Sequence, residues 1–218
     1  MAALAERDVL DAVEDADLLR AQAYTLLAQL LARPPSRALL DAVAGLAGGG
    51  TPLGQAIDRL AERARAATEH TAEREFHALF IGVTRGELVP FASYYRTGFL
   101  NDRPLARLRE DMQALGIERA PDVSEPEDHI AALCEIMAAL ISGDLGPPDL
   151  HRQKRFFDRH LLPWAGRFFA DLEEAHGADL YRPAGTIGRL FLHIENDAFA
   201  MLAQAAEQDH REGTIHAP

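Results

Sequence analysis

The sequence predicts an all-α protein, a single compact bundle of about eight to ten helices. Three observations carry that expectation. Ala and Leu dominate while Val, Ile and Thr are sparse, which favours helix over strand. Apolar residues recur at spacings of three and four along most of the chain, and no strand-like alternation persists. Helix-length segments end on Gly, Pro or capping residues. At 218 residues and 48% hydrophobic, the chain has the size and apolar content to bury a substantial core.

The elements follow in order. Leu10 to Ala32 carries a broad leucine face (Leu18, Leu19, Leu26, Leu27, Leu30, Leu31) and stops at Arg33-Pro34-Pro35. Ser36 caps a short helix reaching about Leu46. Gly48-Gly49-Gly50-Thr51-Pro52 is expected to be a flexible joint. Helices follow from about Pro52 to Thr68 and from Thr71 to Ile81, then a loop from Gly82 to Pro90 and a short aromatic element from Phe91 to Tyr95. Arg103 to Leu115 is helical up to Gly116, and Ile117 to Val123 reads as a linker. The next helix starts near Pro126 and ends at Ser142-Gly143. Asp149 opens another, continued past Pro163 as far as His176. A last long helix spans Ala184 to about Ala206. The domain is thus placed at residues 1–207, with a frayed tail over 208–218.

Charge excludes some partners. The net charge of −12 with a single lysine, Lys154, argues against a nucleic-acid binder and against an anionic membrane surface. A basic peptide suits such a field better. The lone Cys134 lies on an apolar helix face and reads as a small core residue, so neither an intrachain disulfide nor a thiolate metal cluster is expected. Met1 to Asp8 lack the basic-then-apolar pattern of a secretory signal. No run approaches the roughly 18 apolar residues that span a bilayer. A cytoplasmic protein without membrane insertion is expected.

Catalytic chemistry finds little support. The glycine cluster has no phosphate-loop lysine, and no Ser-His-Asp order is recognisable. His70, Glu73 and His77 share one helix face and keep open the reading of a small metal-dependent hydrolase, although two histidines and an acid on a charged helix are more often solvated. Glu125-Pro126-Glu127-Asp128-His129 is the most informative stretch. Ser124 as N-cap, Pro126 in the first turn and Glu127 completing a capping box account for half of it. Asp128 and His129 remain, near the positive end of a helix, as either a solvated turn or a recognition site. Upstream, Pro90-Phe91-Ala92-Ser93-Tyr94-Tyr95 sets three aromatic rings beside polar groups, the material of a peptide groove or of a core-filling turn.

Three segments together resemble one family. They are Phe76 to Gly82 continuing through Gly86 to Pro90–Tyr95; Glu125–His129 with the helix holding Met137; and Phe156, His160-Leu161-Leu162-Pro163-Trp164 and Tyr181. In this order they look like the TorD/DmsD/NarJ group of cytoplasmic chaperones for molybdenum-containing oxidoreductases, over roughly Phe76 to Ala200. The resemblance implies an all-helical fold, no catalytic turnover and no bound cofactor or metal. The implied partner is an apo-molybdoenzyme subunit, held by its N-terminal region or twin-arginine signal peptide until molybdopterin is inserted. The implied peptide-binding residues are Pro90, Phe91, Ser93, Tyr95, Glu125, Asp128 and His129. Phe91 stands where the family commonly has Tyr or Trp. A structural subunit of an oxidoreductase complex is the remaining alternative, and a monomer or a domain-swapped homodimer are both expected forms.

Overall fold

The leucine face of the first helix and the apolar run after His129 close on each other, and the remaining helices build around that contact. The computed structural model describes the backbone of residues 2–82, 85–118 and 125–215, with side chains from 15 to 202 and at 204. Ten α-helices and two π-helical turns make up the described residues. They are α1 (Ala2–Ala32), α2 (Arg37–Ala44), α3 (Pro52–Ala66), α4 (Glu69–Phe76), α5 (Ala92–Thr97), α6 (Arg103–Ala114), α7 (Ile130–Ser142), α8 (Leu150–Phe156), α9 (Ala165–Glu174) and α10 (Tyr181–Ile215). The π-helical turns, His77–Ile81 and Phe157–Leu161, extend α4 and α8. Helix α1 lies along α7, α9 along α10, and α3 bridges α2 and α10.

Local chemistry explains most boundaries. Ser36 caps α2 by accepting the Leu39 N–H, Thr51 caps α3 through Gly54, and Asp149 caps α8 through His151. Gly98, Gly116 and Gly143 stop helices in left-handed backbone. The α9–α10 contact needs glycine. A Cβ at Gly188 would fall 2.2 Å from the Phe169 ring, and one at Gly185 would fall 2.6 Å from the Glu173 backbone nitrogen. Tyr24, Tyr181, Phe157, Phe168 and Phe169 are fully buried, and Cys134 is buried among them as a core residue.

Three expected boundaries shift. The stretch around Gly48, expected to be a joint, is a closed turn. Gly48 N–H donates to Asp58 and Gln55 donates to Gly50 O, and the Gly48 and Gly54 backbones approach too closely for any side chain. Helix α7 begins at Ile130 rather than near Pro126, with His129 as its N-cap. Glu127 pairs with Arg109, and Pro126 to His129 forms a turn closed by His129 N–H on Pro126 O. Ser124 lies outside the described residues. The last helix runs from Tyr181 to Ile215, through the segment expected to fray from Gln208.

A buried polar network ties four helices together. Arg20 on α1 makes a bidentate contact with Glu195 on α10, at 2.6 and 2.9 Å. Arg20 also donates to Asp17 and to Gln153 on α8, while Gln153 donates to Leu140 O on α7. Tyr24 OH donates to Glu195 as well. Burial pulls the Arg20 guanidinium towards neutrality, but Glu195 and Asp17 hold it above its ordinary pKa. With Glu195 at 1% exposure, Glu195→Ala removes the bidentate partner of the part-buried Arg20 guanidinium and leaves it Asp17 as an ion-pair partner. The expected cost is about 2 kcal/mol, read as a lower midpoint in urea unfolding.

Candidate functional site

Two segments far apart in sequence are sewn together at the centre of the site. Ala92 N–H donates to Asp128 O at 3.0 Å and Ile130 N–H donates to Pro90 O at 2.9 Å, making an antiparallel bridge between Phe91 and His129. Helix α5 begins on that seam. Its N-cap residue, Phe91, has no side-chain acceptor. The cap comes from Asp128, whose Oδ2 accepts the Ser93 N–H at 2.7 Å. Asp128 is 1% exposed, so its carboxylate serves the interior, where a helix N-terminus favours negative charge.

His129 does two jobs at once. Its Nδ1 accepts the Ala131 N–H at 3.1 Å, which caps α7 and assigns the ring proton to Nε2. The Phe91 ring meets the imidazole edge-on, with centroids 4.9 Å apart. Burial pushes the His129 pKa down to about 4, so the ring is neutral at physiological pH.

A pocket opens on each side of the seam. The first, about 580 Å³, is lined by the apolar Met112, Ile117 and Ile136, by four acids, Glu118, Glu125, Glu127 and Glu135, by Arg33 and by His129. Arg33 stands beside Glu135, whose carboxyl is raised above its ordinary pKa because partial burial outweighs that positive neighbour. Arg109 contributes a guanidinium to Glu127, at 2.8 Å. The second pocket, about 540 Å³, holds Arg85, Arg96 and Arg167 together with Tyr94, Tyr95 and Asp171. Tyr95 OH donates to Asp171 at 2.9 Å, while its ring packs on Trp164 and Phe168.

The expected site residues therefore separate into three groups. Glu125 and His129 line the acidic pocket, and Tyr95 lines the basic one. Pro90, Phe91, Ser93 and Asp128 line neither and form the seam between them. Asp128 was expected to meet a peptide guanidinium directly; the structure instead turns one of its oxygens onto the Ser93 backbone. Sequence reasoning missed Glu118, Glu135 and the arginines of the second pocket. A signal existed for Glu135, an acid interrupting the run Leu133-Cys134-Glu135-Ile136-Met137.

The His160-Leu161-Leu162-Pro163-Trp164 segment supports the acidic pocket from behind. His160 Nε2 meets Asp111 on α6 at 2.6 Å, and Arg159 meets the same carboxylate at 2.9 Å. Burial sets the His160 pKa below the ordinary value despite Asp111, so a neutral ring donates that bond. Trp164 Nε1 donates to His160 O at 2.7 Å. These bonds hold α6, which carries Met112 into the pocket.

The alternative metal residues, His70, Glu73 and His77, lie exposed on α4 and the π-helical turn after it. A Glu-x-x-His spacing occurs at Glu173–His176, but Glu173 binds Arg189 and His176 meets Glu87. Among the described residues, no group of three or more His, Cys, Asp or Glu is placed to hold a metal ion, and no helix is long and apolar enough to cross a membrane.

Two tests address the seam. Asp128→Ala leaves the buried Ser93 N–H without its acceptor and is expected to cost about 2 kcal/mol in chemical unfolding. For His129, a folded-state pKa below the unfolded 6.5 means that the unfolded chain binds more protons. Stability therefore falls as pH drops from about 6.5 to about 4, by about 3 kcal/mol in all. His129→Asn keeps a capping acceptor and removes that titration, so its loss of stability between pH 7 and pH 4.5 is expected to be the smaller one.

Comparison with known proteins agrees with this architecture. The family model described as nitrate reductase delta subunit matches residues 47–170, more than half of the chain. The chaperone protein TorD of Vibrio cholerae serotype O1 is 30% identical over 159 residues, covering 69% of this chain and 71% of that protein. TorD of Vibrio atlanticus is 29% identical over 154 residues, covering 66% and 71%. A solved structure described as a redox enzyme maturation protein, from Archaeoglobus fulgidus, superposes with a TM-score of 0.55 at 21% identity, over 80% of this chain and 93% of that one. That likeness concerns the fold. Sequence and family model together show that the chain belongs to the nitrate reductase delta subunit family, the TorD/NarJ group, whose members are chaperones rather than enzymes.

Proposed function

We propose that the chain is a maturation chaperone that holds the N-terminal or twin-arginine signal region of an apo-molybdoenzyme subunit, in the cytoplasm, while molybdopterin is inserted. The observation that carries this reading is the acidic pocket beside His129, lined by four acids and by the apolar Met112, Ile117 and Ile136. A twin-arginine segment has a cationic head followed by an apolar stretch. Its guanidinium groups would meet Glu118, Glu125 and Glu135 as charge-assisted forks, and its apolar part would lie on Met112, Ile117 and Ile136. His129 Nε2–H is a neutral donor for a peptide carbonyl at the pocket edge. The net charge of −12 favours encounter with such a peptide, in a salt-dependent way.

Within this reading, Pro90, Phe91, Ser93 and Asp128 position the groove rather than touch the client. Tyr95 holds α5 against α9 from the opposite side. Titration calorimetry with a synthetic peptide of two adjacent arginines and an apolar stretch tests the proposal. The expected result is saturable binding that weakens by about 1 kcal/mol in Glu135→Gln and again in Glu118→Gln, with a twin-lysine peptide weaker throughout. Absence of binding by both this peptide and a full-length apo-molybdoenzyme subunit would sink it, as would affinity indifferent to both substitutions.

A further inference from the structure

The acidic pocket carries a cation of its own. Arg33 shares its lining with Glu118, Glu125 and Glu135, and stands at the first position beyond α1. Two constraints deliver it there. Helix α1 packs along α7, which bears Glu135, and Pro34-Pro35 restrict the backbone that follows. Pro35 is buried, so the turn is anchored beside the cavity and the freedom left to Arg33 is that of its side chain.

A structural ion pair does not account for this placement. Arg109 on α6 pairs with Glu127 at 2.8 Å, and the Glu127 side chain is only 11% exposed, so that contact belongs to the fold. Arg33 differs. Its side chain is exposed, and among the described residues it makes no ion pair and no side-chain hydrogen bond. It acts on Glu135 through space, as the positive neighbour that draws that carboxyl back towards its ordinary pKa. An arginine within electrostatic reach of an acid, yet not locked onto it, stands where an incoming guanidinium would arrive.

We propose that Arg33 is a resident competitor in this pocket, an internal guanidinium that a cationic client has to displace from the neighbourhood of Glu135. The inference rests on the reading of the pocket as a site for a basic peptide. Displacement costs the same for every cation. Ligands with one weak contact are therefore lost, while a segment with several forked contacts to Glu118, Glu125 and Glu135 stays bound. Specificity of this kind comes from a repulsive element as much as from attractive ones. The same penalty keeps the client's affinity below what the acids alone would give, which favours its release.

Titration calorimetry of the full chain with the two-arginine peptide, for wild type, Arg33→Gln and Arg33→Lys, tests the competitor. Arg33→Gln is expected to bind about threefold more tightly at low salt. That gain shrinks as salt screens the exposed charge, and Arg33→Lys, which keeps the charge, binds like wild type. Thermal melting unchanged in both variants checks that they are folded. Equal affinity of wild type and Arg33→Gln overturns the competitor and leaves the peptide site standing. Weaker binding by Arg33→Gln also overturns it, making Arg33 a contact for the client. Tightening that is indifferent to salt, or shared by Arg33→Lys, overturns it in favour of a steric obstacle. No binding by any of the three chains overturns the peptide reading of the pocket and the competitor with it.

Discussion

The buried carboxylate of Asp128, accepting the Ser93 N–H, is the contact on which both pockets depend. It caps α5 from 35 residues away, and the backbone bonds around it hold α5 against the start of α7. One pocket lies on each side of that seam. Loosening it would move His129 relative to the acidic wall and Tyr95 relative to α9. Asp128 is therefore central to the site without lining either cavity.

The same device recurs elsewhere in the chain. Glu75 accepts the N–H groups of Asp179, Leu180 and Tyr181, from 2.8 to 3.1 Å, at the start of α10. Glu69 accepts the Arg37 N–H at the start of α2, and Glu87 takes the turn at His176 and Gly177. In each case an acid on one element satisfies orphan donors at the start of another or at a turn. Part of the negative charge is thus spent on assembling the bundle. Glu118, Glu125 and Glu135 line the pocket where a cationic client is proposed to sit.

The division of labour between the two pockets follows from helix geometry. Helix α7 is apolar almost all round, since it packs on α1 along its length, and Glu135 is its acid at the rim. Helix α9 presents Arg167 and Asp171 one turn apart, on the strip left open by the α9–α10 contact. The π-helical turns add to this. They end α4 and α8 immediately before the segments that carry the aromatic loop and Trp164, a placement that redirects the chain where an ordinary helix would run on.

The all-helical class, most helix spans, the cap at Ser36, the helix start at Asp149 and the core role of Cys134 were legible in the sequence, because they depend on spacing within one or two turns. The family was legible too, through ordered motifs. Where those motifs point was not. A capping rule sees residues three apart, so it placed the start of α7 near Pro126, whereas the helix starts at Ile130 with His129 as its cap. Asp128 looked like a surface recognition group because nothing local consumes its charge. Only the tertiary structure brings Ser93 N–H to its carboxylate and hides it from solvent, since burial and long-range hydrogen bonds are properties of the packed chain rather than of its neighbours in sequence.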